Sequence, residues 1–204
     1  MANTHCSRQP PWHCDYSNEF LPHGLDLARL DSPTTVPFDN FLDITKHGRI
    51  SDRLFRVRCD GERCVMKIVG FKHEIRYLQQ EVAVYAALAS SGFRPAPRFK
   101  GLVYEETKNR TIGFLMEEIR GRPAGIEDLQ DCMETARQLH AYGFIHGDLN
   151  RYNFLITDHG TRLIDFESSV ATGDVGPAVA EEELKSLESN LKDETGIGKR
   201  HGAT

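Results

Sequence analysis

The chain predicts an α+β fold, built either as one domain or as two small lobes around a cleft. Three observations carry this reading. A length of 204 residues suits one domain or two small lobes. Short strand-like runs recur between residues 41 and 118 and again at 154–164. Three stretches, 72–90, 126–142 and 178–192, space their apolar residues as amphipathic helices do. A hydrophobic fraction of 39% beside 27% charged residues fits a soluble chain with a core of its own. The formal net charge of −5 gives no electrostatic footprint for nucleic acid or an anionic membrane. No basic-then-apolar leader and no apolar run of membrane-spanning length is found. Five cysteines (6, 14, 59, 64 and 132), odd in number and without a C-x-x-C pair, read as reduced thiols, so a cytoplasmic location is expected.

In chain order, residues 1–36 read as a polar extension broken by Pro10, Pro11 and Pro33, with a helical turn or two at Leu25 to Leu30. The pairs His5-Cys6 and His13-Cys14 lack further ligands at finger spacing, so an ordinary extension is the better account. Strands follow at Phe41 to Ile44, Arg53 to Cys59 and Arg63 to Val69, the last two joined by the tight-turn dipeptide Asp60-Gly61. The third strand carries Lys67 among apolar neighbours. On the helix 72–90, Leu78, Tyr85 and Leu88 form a stripe with Glu81 in its middle. A carboxylate there is costly to bury unless paired, and Lys67 is the expected partner. Glu74 is the competitor on the same face, but a charge in the first turn is explained by the helix dipole alone. Pro95 and Pro97 end the helical region. Strands at 99–105 and 111–118 flank a polar turn, Thr107 to Arg110. The second runs into the linker Ile119 to Pro123.

The helix 126–142 stops at Gly143 and delivers the chain into IHGDLNRYNFLITDHGTRLIDFE, residues 145–167. His146, Asp148 and Asn153 form H-x-D-x-x-x-x-N, and Asp165-Phe166 follows a short apolar hairpin that turns at His159-Gly160. That hairpin sets Asn153 and Asp165 side by side as hard oxygen ligands suited to Mg²⁺. Asp148, on the loop just upstream, is placed to orient a hydroxyl nucleophile. A charged helix spans about 178–192, and 196–204 reads as a frayed tail.

These motifs resemble the protein kinase-like superfamily, and the wording is closer to its atypical branches: RIO kinases, aminoglycoside and choline phosphotransferases, and short kinase-like proteins of fungi. The resemblance covers about residues 38–192. It implies a two-lobed fold at 37–195, with a five-stranded antiparallel N-lobe sheet plus one helix (about 37–119) and a reduced helical C-lobe (about 120–195). It implies ATP and Mg²⁺ as cofactors. Lys67, held by Glu81, would bind the α- and β-phosphates; Asn153 and Asp165 would hold Mg²⁺; Asp148 would accept the acceptor's proton. Met116 would be the gatekeeper, and the backbone of Glu117 and Ile119 would meet the adenine edge. His146 would be a scaffold residue.

Departures from the pattern bear on function. The loop His47 to Asp52 has one glycine in place of G-x-G-x-x-G, so Arg49 or Ser51 would supply phosphate contacts. Gly147 replaces the arginine of H-R-D, Glu167 replaces the D-F-G glycine, and no A-P-E motif follows. The expected activity is transfer of the γ-phosphate to a hydroxyl, protein Ser/Thr being favoured over a small molecule. The alternative is a pseudokinase, a nucleotide-binding or protein-interaction module.

Overall fold

The computed structural model describes residues 24–26, 36–193 and 195. The two His-Cys pairs, most of the extension and the tail lie outside these residues. Six strands, β1 (Phe38–Asn40), β2 (Lys46–Arg49), β3 (Leu54–Cys59), β4 (Glu62–Ile68), β5 (Phe99–Glu105) and β6 (Thr107–Glu117), form one sheet ordered β1-β5-β6-β4-β3-β2. The sheet is mixed: β1 runs parallel to β5, with Phe38 opposite Leu102, and the remaining neighbours are antiparallel. This corrects the expected five antiparallel strands.

The difference arises at Asn40. Its side-chain oxygen accepts the Leu42 amide (3.1 Å), and its carbonyl accepts the Asp43 amide (2.9 Å). An Asx turn therefore stands at Phe41–Asp43, where a strand was expected, and strands flank it on both sides. The next strand, β2, takes up half of the expected phosphate loop and shortens it to residues 50–53. At the β5–β6 connection the expected polar turn at 107–110 is instead drawn into β6, and the reversal falls on Glu106, at φ +63°.

A 3-10 turn, Lys72–Glu74, leads into α1 (Ile75–Ser91), which closes at Gly92 with φ +81°. The helix buries Leu78, Val82, Tyr85 and Leu88 against the sheet. Full burial of such side chains contributes about 1.5–3 kcal/mol each. Gly113 of β6 lies so close to β4 that a Cβ there would collide with the Lys67 carbonyl oxygen and the Ile68 side chain. The close approach fixes where Lys67 stands. The short described segment at 24–26 packs on the same body, through buried Leu25 and a reciprocal pair of bonds between Asp26 and Gln79 (2.8 and 3.1 Å).

Beyond the linker, β7 (Arg122–Pro123), a 3-10 turn at Ile126–Asp128 and α2 (Leu129–Ala141) follow. Arg122 grips Asp128 through two bonds, 2.6 and 2.8 Å. Then come β8 (Phe144–Ile145), β9 (Phe154–Thr157), β10 (Gly160–Leu163), β11 (Val170–Ala171), α3 (Thr172–Val175) and α4 (Pro177–Lys192). The strands pair as β10-β9-β7 and β11-β8. Leu139 of α2, Phe154 of β9, Leu163 of β10, and Leu187 and Leu191 of α4 join the core that begins under the sheet. Among the described residues no helix is long and apolar enough to cross a membrane.

Candidate active site

Lys67 lies on β4, directly opposite Leu54 and Phe114, and its side chain is only 3% exposed. Its Nζ is 2.6 Å from Glu81 Oε2, 2.8 Å from Asp165 Oδ1 and 3.0 Å from Glu167 Oε1. Glu81 therefore sits beside Lys67. Glu74 does not: its carboxylate caps the amides of Gly70 and Phe71 (both 3.0 Å) and faces Arg53 at 3.6 Å. Burial alone would lower the Lys67 pKa, but Glu81, Asp165 and Glu167 together hold it above the ordinary lysine value. The ammonium is kept charged. Burial also raises Glu81 above the usual carboxylate range, with the Lys67 charge opposing that rise.

The hairpin β9–β10 does what its sequence implies, turning at Asp158–His159 rather than one residue later. Leu163 faces Phe154, and the Ile164 amide donates to the Asn153 carbonyl at 2.9 Å, so Asn153 and Asp165 flank the open end. Asp165 adopts φ +71°, ψ +71°, a left-handed backbone that costs a non-glycine residue about 1 kcal/mol or more. Phe166 after it is fully buried, its ring 5.2 Å from Tyr85 of α1 and 5.2 Å from His146. That packing holds the strained aspartate in place.

Asp148 and Asn153 are tied together. Asn153 Nδ2 donates to the Asp148 carbonyl (2.8 Å) and to Asp148 Oδ2 (3.1 Å), which leaves Asn153 Oδ1 as the amide's acceptor. Asn150 Nδ2 donates to Asp148 Oδ1 at 3.1 Å. His146 is buried and pushed by that burial below the ordinary histidine pKa. As a neutral ring it donates from Nε2 to the Ile164 carbonyl (3.1 Å), and its Nδ1 accepts the Asp148 amide (3.3 Å). It links the loop to the hairpin and has no ring nitrogen left for proton transfer.

Glu183 of α4 holds the other side of the loop. Its carboxylate accepts the amides of Gly147 (2.6 Å) and His146 (3.3 Å) and meets His140 Nε2 at 2.6 Å. Two turns further along α4, Asn190 Nδ2 donates to the Leu149 carbonyl at 2.8 Å. Gly147 itself has φ +80°, and a Cβ there would strike the Ser168 carbonyl oxygen. The missing arginine of H-R-D thus has a local cause: the chain passes here too close to its neighbour for any side chain.

Between the sheet and the linker lies a cavity of about 360 Å³, lined by Ile50, Val65, Met116, Ile119, Leu155 and Ile164 among others. Met116 is buried, and the Tyr85 hydroxyl reaches its sulfur at 3.4 Å. The Glu117 amide donates to the Arg98 carbonyl (2.9 Å), so it is already engaged within the fold. A second cavity, about 480 Å³, opens between the loop and α4 beside Asp148, Asn150, Arg151, Glu182 and Ser186.

Residues 114–182 match the family model of the RIO domain. RIO domains form an atypical protein kinase-like family, and the match implies a kinase-like fold. It runs from β6 through the linker, the loop and the hairpin into α4, and so takes in Met116, Glu117, Ile119, Asp148, Asn153 and Asp165. Lys67 and Glu81 lie before it, so their pairing rests on the geometry alone. Glu183 lies one residue beyond its end.

Sequence reasoning missed Glu183, Arg53 and the seating of Glu167 on Lys67. Glu183 stands in the run Glu181-Glu182-Glu183, where nothing local separates a loop-holding carboxylate from solvated ones. Arg53 reaches Glu167 at 3.0 Å across the cleft. The expected phosphate contacts Arg49 and Ser51 are turned elsewhere: exposed Arg49 pairs with Asp52, and Ser51 Oγ faces the Arg53 amide at 3.4 Å.

Proposed function

We propose that this chain is an ATP-dependent phosphotransferase of the atypical kinase-like type, with lobes at about 37–119 and 120–195. One observation supports it above all: the buried Lys67–Glu81 pair opens on Asp165, and Asp165 shares a hairpin mouth with Asn153, which is bonded to Asp148. The donor set fits a metal–nucleotide complex. Glu81, Asp165 and Glu167 each offer an oxygen within 4.8 Å of the others, and Asn153 Oδ1 adds a neutral hard oxygen. Asn153 and Asp165 would hold Mg²⁺, which would draw charge from the phosphates during transfer.

Lys67 then binds the α- and β-phosphates, its direction fixed by Glu81. The adenine lies in the 360 Å³ cavity, beside Met116 and against the carbonyl of Glu117 and the backbone of Ile119. Asp148 orients the acceptor hydroxyl and takes its proton. The cavity beside Asp148 and α4 receives the acceptor, for which we favour a protein Ser/Thr over a small molecule. The rate gain comes from positioning and from charges fixed beforehand. We place the enzyme in the reducing cytoplasm, where Cys59, Cys64 and Cys132 stay thiols.

A second reading, nucleotide binding without transfer, draws support from the loop 50–53, which has no glycine to bring backbone amides close to the phosphates. One set of measurements separates the two. Thermal shift with ATP, with and without Mg²⁺, on wild type, Asp165→Ala and Asp148→Ala is the first step. Stabilisation that needs the metal and is lost in Asp165→Ala supports the nucleotide site. Retained binding in Asp148→Ala with loss of ATP turnover supports transfer. A folded wild type that ATP does not stabilise overturns both readings.

A further inference from the structure

We propose that Arg53 is a second phosphate-binding cation beside Lys67, resting on Glu167 until a nucleoside triphosphate enters. The inference rests on the ATP reading above and names a residue for the anion contacts that a glycine-rich loop would otherwise make.

Three observations carry it. First, position: the loop 50–53 joins β2 to β3 over the cleft, and Ile50 at its start lines the cavity assigned to adenine. Arg53 closes the same loop. Its carbonyl accepts the Ile68 amide at 2.9 Å, which pins it next to Lys67 on β4. Second, direction: the guanidinium reaches inward, with Nη1 3.0 Å from Glu167 Oε1, the oxygen that Lys67 Nζ also meets at 3.0 Å. Third, charge: among the described residues four carboxylates, Glu74, Glu81, Asp165 and Glu167, meet the two cations Lys67 and Arg53, so carboxylates outnumber these cations two to one. Glu81, Asp165 and Glu167 could hold a divalent metal, which would offset that excess, and Lys67 and Arg53 would then be available to phosphate. A guanidinium offers paired N–H donors matched to a phosphate edge, an advantage over a backbone loop that has no glycine at 50–53.

The cation at the end of β2, just before the loop, does not compete. Arg49 lies in the open on Asp52 and sends its Nε to the Ser51 carbonyl.

Isothermal titration of wild type, Arg53→Ala and Arg53→Lys with adenosine, AMP, ADP and ATP, each with Mg²⁺, tests the proposal. Arg53→Ala is expected to weaken ATP by about 10- to 100-fold, the range for a lost charge-assisted pair, while adenosine changes by less than about twofold. Arg53→Lys recovers part of the loss. Glu167→Gln, titrated without metal, tightens ATP in the wild-type background and does so much less in Arg53→Ala. Equal weakening of adenosine and ATP would show that Arg53 only props the cleft, and unchanged ATP affinity in Arg53→Ala would show that it does not reach phosphate; either result overturns the inference and leaves the ATP reading standing. Wild type that binds no ATP overturns the reading itself. Arg53→Gln carries the same series if the alanine variant does not fold.

Discussion

The Gly147 amide donates to Glu183 Oε1 at 2.6 Å, so the residue before Asp148 is held by a carboxylate from α4. Glu183 keeps its charge although it is largely buried. Burial would raise its pKa, but His140 and the amides of Gly147 and His146 pull it below the usual carboxylate range. Replacing it by glutamine removes the charge and leaves one of the loop amides poorly matched. Glu183→Gln is expected to lose about 1.5–3 kcal/mol in urea denaturation and to speed hydrogen exchange at Gly147. Unchanged exchange at that amide would show that the loop holds itself.

Lys67→Ala should fail as a simple activity variant. It leaves the carboxylate of Glu81, 1% exposed, without its cation. Loss of one partner of a buried pair costs about 3–5 kcal/mol. The double variant Lys67→Met with Glu81→Gln is expected to recover much of that loss. Denaturation midpoints for the single and double variants measure it; equal midpoints for the two would contradict the buried-pair account.

His146 gives the fold a pH dependence. Its native pKa lies below the ordinary 6.5 because burial disfavours the charged ring. As the pH falls through 6.5 the unfolded chain takes up a proton that the native state refuses, so stability declines on acidification. Glu81, raised by burial, acts with the opposite sign, and Glu183, held low, releases its contribution only at more acid pH. The melting temperature between about pH 7.5 and 5.5 should therefore fall less steeply in His146→Gln than in wild type. Parallel curves would mean that the native ring titrates normally.

Gly147→Ala combines a left-handed φ with a collision against the Ser168 carbonyl oxygen. The expected result is a loss of several kcal/mol, or a chain that does not fold, by calorimetry. Gly143→Ala, also at positive φ but with open space around its Cβ, should be far milder. Similar losses for both would remove the steric explanation for glycine in the H-G-D motif.

Features written in nearby residues were legible in the sequence. The hairpin at 154–163 followed from two apolar runs and a turn, and the stripe on α1 singled out Glu81 over Glu74 as the residue beside Lys67. Features that depend on distant partners were not. Nothing in Phe38–Asn40 announces a parallel mate in β5, and the Asn40 side chain turned an apparent strand at 41–44 into a bend. The carboxylates that converge on Lys67 come from positions 81, 165 and 167, and only the folded chain shows that Glu167 fills the space next to it. The single Glu183, chosen from three adjacent glutamates by the side of α4 it occupies, is of the same kind.

The bonds from Glu183 to Gly147 and His146 span 36 and 37 residues along the chain. A nascent polypeptide emerging from the ribosome can therefore complete β9 and β10 while its loop amides still face water. The site closes only after α4 has left the exit tunnel and docked, several seconds later at ordinary translation rates of about 5–20 residues per second. Until then the apolar surface that Leu187 and Leu191 cover in the folded chain lacks that cover.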